Sequence, residues 1–284
     1  MRLLIVAKVS KNPLFCAKIP ALEMKKIMAI VNLTPDSFYP GSRVYAEDGT
    51  FDASAFLFQV RSALKNGAHI IDLGACSTRP GHQLLSPDIE IERLRPALEL
   101  WREHFSDVVL SIDTYYSKVV EFATAYSSRL MINDVSAGDF DADMLPLAAR
   151  LSCPYVAMHH APLHEAEDGV EAVTRWYYDF AEKAENMGVR EWIFDPGFGF
   201  GKSLEQNWAL LRHLDKLPHE RPILVGVSRK SMLYRLLPQA LDPSCSSAQL
   251  SSLEDTQLLT SFAHRLALSG GASIFRVHST EKVF

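Results

Sequence analysis

Short apolar runs rich in Ile, Val and Leu recur along the chain, at 27–32 (IMAIVN), 69–74 (HIIDLG), 107–114 (DVVLSIDT), 130–135 (LMINDV), 154–160 (PYVAMHH), 191–196 (EWIFDP), 222–228 (PILVGVS) and 273–279 (SIFRVHS). Each has the length of a strand. Between them lie stretches such as 51–67 and 203–217 with apolar residues at i, i+3, i+4 and i+7, which predict helices with one buried face. Gly67, Gly188 and Gly271 fall near the expected helix ends, where a C-terminal cap favours glycine. Continuously apolar runs predict strands buried on both faces, and their alternation with helices predicts a parallel sheet. Eight such units predict an α/β fold, a (β/α)8 TIM barrel whose functional residues sit at the strand C-termini. A doubly wound open sheet is the alternative arrangement.

Size and composition narrow the picture. With 284 residues, 48% hydrophobic and 22% charged, the chain can bury a large core without disulfide or metal staples, and it falls outside the disordered class. Residues 1–26 read as an N-terminal extension or extra strand and 27–284 as one barrel domain. The first apolar run breaks at Lys8, too early for a secretory or membrane-spanning segment, while the late first acidic residue, Glu23, leaves a transit peptide as the competing reading. A net charge of −5 without a Lys and Arg stripe argues against a nucleic-acid partner. Cys16, Cys76, Cys153 and Cys245 form no CxxC pair and read as reduced thiols of a cytoplasmic protein. Only residues 279–284 follow the last apolar run. The eighth helix is therefore expected to be missing or truncated, leaving apolar surface of the first and seventh helices uncovered, either for a partner subunit or as an aggregation liability.

What ends each run carries the chemistry. Asn32, Asp72, Asp113, Asn133, His159, Asp195, Ser228 with Lys230, and Arg276 with His278 follow the apolar parts in turn. Asn and Asp are disfavoured within strands, so a ring of carboxylates, amides and cations around one mouth suits a heterocycle bearing both donors and acceptors. The run GFGFGKS at 197–203 invites a nucleotide reading but fails it: a P-loop needs Gly where Pro196 stands, and the dinucleotide motif needs Gly where Lys202 stands. Its glycines suit a tight turn that brings Phe198 and Phe200 near a flat ligand.

NLTPDSF (32–38), IDLGACSTRPG (71–81), SIDTYYSKVVEFA (111–123), INDVSAGD (132–139), DPGFGFGKS (195–203), VGVSRKSM (225–232) and FRVHS (275–279) resemble, in order and spacing, the motifs of the dihydropteroate synthase family. The resemblance implies a TIM-barrel transferase that condenses a dihydropterin hydroxymethyl pyrophosphate with p-aminobenzoate, giving dihydropteroate and pyrophosphate. It implies Asp113, Lys230 and Arg276 as catalytic residues. The pterin would meet Asp113, Asn133, Asp195, Lys230 and Phe200, and the pyrophosphate Asn32, Thr78, Arg79, Arg276 and His278. For p-aminobenzoate the residues are Phe38, Thr78, Pro80, Phe200 and Ser231. Asn32 would offer an oxygen to Mg²⁺, and Asp72 would be a structural carboxylate.

Four positions depart from the family pattern: Pro40, Ala75, Cys76 and Ser279. Two other functions stay open at this point, a non-catalytic pterin-binding paralogue and a methyltransferase that passes a methyl group from a reduced folate to a corrinoid. The arginine and histidine at 276 and 278, two residues apart on one strand, can both face the mouth and argue for a pyrophosphate site. A homodimer is a further expectation.

Overall fold

The computed structural model describes residues 25–34, 44–46, 49–76, 85–233 and 253–284, with side chains from 257 onward in the last stretch. The expected N-terminal strand lies outside these residues, as do Phe38, Pro40, Thr78, Arg79 and Pro80. Eight parallel strands alternate with helices: β1 Lys26–Asn32, β2 Ile70–Gly74, β3 Val109–Asp113, β4 Leu130–Asp134, β5 Tyr155–Met158, β6 Trp192–Asp195, β7 Leu224–Val225 and β8 Ile274–Val277. Their order is β6-β5-β4-β3-β2-β1-β8-β7, and a parallel bridge between Phe194 and Ile223 brings β6 against β7 to close the barrel.

Among the described residues the α-helices are α1 Ala53–Lys65, α2 Pro87–His104, α3 Ser117–Ala123, α4 Met144–Leu151, α5 Gly169–Met187, α6 Leu204–Arg212 and α7 Leu253–Ser269. Their ends follow local chemistry. Asp52 and Asp168 accept from backbone N–H groups at the starts of α1 and α5, and Ser203 with Gln206 forms a reciprocal cap on α6. Gly188 closes α5 at φ 77°, and Gly67 and Gly271 also take positive φ beyond α1 and α7. No helix among the described residues is long and apolar enough to cross a membrane.

Two apolar layers hold the barrel. Met28, Ile70, Val109, Met131, Val156, Ile193, Leu224 and Ile274, one from each strand, fill its floor. Their strand neighbours, such as Ile71, Leu110, Ile132, Trp192 and Phe275, face the other way and pack with the helices. The runs are largely apolar because both faces are buried, as expected.

After β8 no helix forms among the described residues, yet segment 279–284 is not loose. His264 Nδ1 donates to the Val283 carbonyl at 2.9 Å, Gln257 Nε2 to that of Glu281 at 2.8 Å, and Val283 is buried. The flank beside it stays open: Phe58 of α1 is 73% exposed, and Leu258 and Phe262 of α7 are 70% and 55% exposed. A groove of about 550 Å³ runs there, lined by Leu57, Phe58, Arg61, Lys65 and Glu281 among others.

Candidate active site

Side chains along a strand alternate between the barrel interior and the helix layer. Two residues beyond the floor, the interior positions of β2, β3, β4, β6 and β8 are Asp72, Ser111, Asn133, Asp195 and Arg276. Four residues beyond the floor come Asn32, Asp113, Ser228 and His278. The position two beyond the floor on β7 is Gly226, whose missing side chain leaves room beside the Arg276 Cβ. The alternation therefore builds an apolar floor, a buried polar layer and a polar mouth, in that order.

Asp72 is the centre of the polar layer. It has no exposed surface, and its carboxylate accepts from Ser111 Oγ (2.6 Å), Asn133 Nδ2 (3.1 Å) and Arg276 Nε (2.7 Å). The other end of the same guanidinium, Nη2, donates to Asp113 Oδ2 at 2.5 Å, while Asp113 Oδ1 is buried without a partner. Burial pushes the Asp113 carboxyl up and Arg276 pulls it down. Burial disfavours charge on Arg276 too, but the carboxylates of Asp72 and Asp113 outweigh it and hold the proton firmly. A carboxylate facing Asn133 accepts only, so the amide nitrogen must face Asp72 and the carbonyl oxygen is what remains for a ligand.

The second half of the mouth is the turn after β6. Gly197 N donates to Asp195 Oδ1 at 2.8 Å, and Gly197 sits at φ +70° with the place of a Cβ only 1.9 Å from the His159 carbonyl oxygen, so no other residue fits. Lys202 is an internal clamp: its ammonium donates to the carbonyls of Gly197 (2.9 Å), His159 (3.1 Å) and Phe200 (3.1 Å). Burial lowers its pKa to about 7, against the pull of Asp195. Lys230 reaches the Phe198 carbonyl and lies 4.8 Å from the centre of the Phe200 ring. Burial lowers its pKa to about 8, again opposed by Asp195. Burial also raises Asp195, with Lys230 countering. At the mouth His278 shares Ser228 Oγ through its backbone N and its Nδ1, both at 3.3 Å.

Asp113, Asn133, Asp195, Lys230 and Arg276 thus meet in one polar mouth, with Phe200 half-buried beside Lys230 and Ser231 exposed next in sequence. Asn32 ends β1 at the same level. Two readings need correction. His159 follows Met158 and so falls on the helix side, edge-on to Trp176 with ring centres 5.5 Å apart, and burial holds its pKa down near about 3. Phe198 is wholly buried in the helix-side core and only Phe200 can meet a flat ligand.

One buried neighbour of the site escapes sequence reasoning. Glu90, in the first turn of α2, is fully buried with both carboxyl oxygens unpartnered, facing Thr114 and near Asp113. Its signal is a lone charge in register with the buried Leu94, Ala97 and Trp101 of the same helix. Beside it, the departures at 75 and 76 are small buried side chains just after β2, where Cys76 Sγ lies 3.3 Å from Tyr115 OH and Arg93 donates to the Ala75 carbonyl at 3.0 Å.

Residues 28–278 match the family described as pterin binding enzyme. The chain is 35% identical over 266 residues to dihydropteroate synthase of Streptococcus pyogenes serotype M3, covering 90% of each protein. It superposes on Xanthomonas albilineans dihydropteroate synthase with 4-aminobenzoic acid at a TM-score of 0.78, with 33% identity, covering 94% of this chain and 93% of that one. The dihydropteroate synthase of Thermus thermophilus in complex with 6HMPPP gives 0.71, with 31% identity over 92% and 91% of the two chains. Fold, polar mouth and relatives agree: the chain belongs to the dihydropteroate synthase family of pterin-binding enzymes.

Proposed function

We propose that the buried polar layer reads the pterin ring and the cations at the mouth hold its pyrophosphate. The chain is a transferase of folate biosynthesis, condensing 6-hydroxymethyl-7,8-dihydropterin pyrophosphate with p-aminobenzoate to give 7,8-dihydropteroate and pyrophosphate. The observation that carries the assignment of residues is the meeting of Asp72, Asp113, Asn133 and Arg276 from four strands above one apolar floor.

Asp195 accepts the N–H groups of the ring's guanidine-like edge, Asn133 accepts a further ring N–H through its oxygen, and Lys230 donates to the ring carbonyl. Phe200 lies against the ring face. Arg276 and His278 take the pyrophosphate, joined by Thr78 and Arg79. Phe38, Thr78, Pro80 and Ser231 border p-aminobenzoate. The bond between the pterin methylene and the pyrophosphate oxygen breaks, its electron pair leaving with pyrophosphate. Asp113 stabilises the cation left on the methylene and ring. The arylamine nitrogen then forms the new carbon–nitrogen bond and sheds a proton to solvent. No protein nucleophile takes part.

Mg²⁺ belongs to the same proposal. Asn32 would supply one amide oxygen at the end of β1, and among the described residues no group of three His, Cys, Asp or Glu side chains could hold an ion by itself. Such a donor set fits an ion that draws most of its ligands from pyrophosphate oxygens and water. When bound, the ion neutralises charge on the leaving group. The exposed flank of Phe58, Leu258 and Phe262 supports a homodimer, and the buried thiols of Cys76 and Cys153 suit a cytoplasmic setting.

The test is turnover. Purified protein with the pterin pyrophosphate, p-aminobenzoate and Mg²⁺ should release pyrophosphate and form dihydropteroate in equal amounts. Binding without turnover would favour a non-catalytic pterin-binding protein.

A further inference from the structure

We propose that Asp72 is the positioning residue of this site: it anchors Arg276 by Nε as a pivot, so that the guanidinium can pass its Nη2 contact from Asp113 to the substrate's pyrophosphate. The inference rests on the assignment of the pyrophosphate to Arg276.

One guanidinium serves two carboxylates, Asp72 at 2.7 Å and Asp113 at 2.5 Å. Asp113 in this state has its charge compensated at close range. A compensated carboxylate is a poor stabiliser of a cation forming on the pterin methylene, so Nη2 has to leave before Asp113 can act. Pyrophosphate carries more charge than a carboxylate and offers several oxygens in the geometry a guanidinium prefers, so it competes for Nη2.

What makes the exchange feasible is the fixed end. Asp72 is wholly buried and held by Ser111 and Asn133, so it cannot follow the guanidinium outward. Arg276 keeps one ion contact throughout and gives up only the other, which avoids leaving a buried cation with no counter-charge. Release of Asp113 is then tied to arrival of the leaving group. The same carboxylate orients Asn133, so one residue sets both the ring acceptor and the pyrophosphate cation.

Asp72→Asn separates this role from a structural one. An amide can keep all three hydrogen bonds, its oxygen accepting from Asn133 and Arg276 and its NH₂ donating to the Ser111 hydroxyl, but it removes the charge. Arg276 then has Asp113 as its sole carboxylate and stays on it. The expected result is a fall in kcat of roughly tenfold or more, the size of a lost charge-assisted contact. Binding of 6-hydroxymethylpterin, which has no phosphate, should stay within about twofold of the parent, whereas inorganic pyrophosphate should bind roughly tenfold more weakly, since Arg276 stays on Asp113. Unchanged kcat, or equal weakening of both ligands with kcat, overturns the proposal.

A second measurement covers a variant that does not fold. In a crystal structure of the parent with inorganic pyrophosphate, Arg276 Nε should remain on Asp72 while Nη2 has moved from Asp113 to the anion. Nη2 still on Asp113, or a guanidinium detached from both carboxylates, overturns the pivot. Parent turnover in the same assay keeps the two ideas apart: an inactive parent defeats the assignment of the site, whereas an active parent with an unsplit variant defeats only the pivot.

Discussion

Glu90→Gln isolates an energetic cost built into the foundation of the site. Glu90 has no exposed surface, neither carboxyl oxygen has a hydrogen-bond partner of normal geometry, and burial raises its pKa from 4.5 to about 8, with the nearby Thr114 hydroxyl opposing the rise and Asp113 adding to it. The fold therefore holds the proton more tightly than the unfolded chain does. For a carboxyl raised in this way, the stabilisation is complete below the unfolded pKa and is lost as pH rises through the folded one. Between 4.5 and about pH 7.5 the unfolded state ionises freely while the folded state stays neutral, which at 1.36 kcal/mol per pH unit sets a ceiling of roughly 4 kcal/mol. Local relaxation and water entry reduce such figures, so about 2 kcal/mol is the working value, or roughly 4 to 8 °C in Tm for a chain of this size. Gln is nearly isosteric and cannot ionise. Thermal melts of parent and variant at about pH 5 and about pH 7.5 should show the variant gaining that much on the parent at the higher pH. Asp113 titrates in both proteins, so the difference between them isolates residue 90. A gap that stays constant with pH would show that Glu90 is ionised and solvated in the folded protein, and the buried neutral carboxyl would be wrong.

Three further perturbations probe the reaction itself. Asp113→Asn should hold pterin binding within a few-fold while lowering kcat by about 10² or more, as expected for losing a charge aimed at the developing cation; equal turnover would remove Asp113 from the chemistry. Arg276→Met should weaken the pyrophosphorylated pterin by roughly 10²-fold and dihydropteroate, which has no phosphate, far less; equal weakening in a binding titration would make the residue a support of the fold. Lys230, whose pKa burial has lowered to about 8, loses its proton and charge as pH rises through that value, so kcat/KM should decline on the alkaline side. Lys230→Arg, always charged, should flatten that decline even if it turns over more slowly, and an identical profile in both proteins would assign the alkaline limb to another group.

Much of this architecture is written in the chain as local pattern. Eight apolar runs became eight strands because each is buried on both sides, and the two-residue spacing of Arg276 and His278 gives them the same parity on and just after β8. The same period, applied strand by strand from the floor residue, separates Asp195 and Asn133 from His159, which ends its strand in sequence but falls on the helix side. Chain order alone does not carry that parity, since it depends on which residue of each run is the floor. Asp72 is the harder case. Its three partners lie 39, 61 and 204 residues away, and only closure of the barrel brings them together, so what a carboxylate read as structural actually holds, the side chains of Ser111, Asn133 and Arg276, is not legible from local pattern. Lys202 shows the converse: in a motif that resembles a phosphate loop, the ammonium is consumed by three carbonyls around its own turn.

A crystal structure with 6-hydroxymethyl-7,8-dihydropterin pyrophosphate tests the account most directly. The ring edge should lie on Asp195, the Asn133 oxygen and Lys230, with Asp113 facing the methylene and the pyrophosphate on Arg276 and His278. A ring bound outside the barrel mouth, or a pyrophosphate held by Lys202 in place of Arg276, would contradict it.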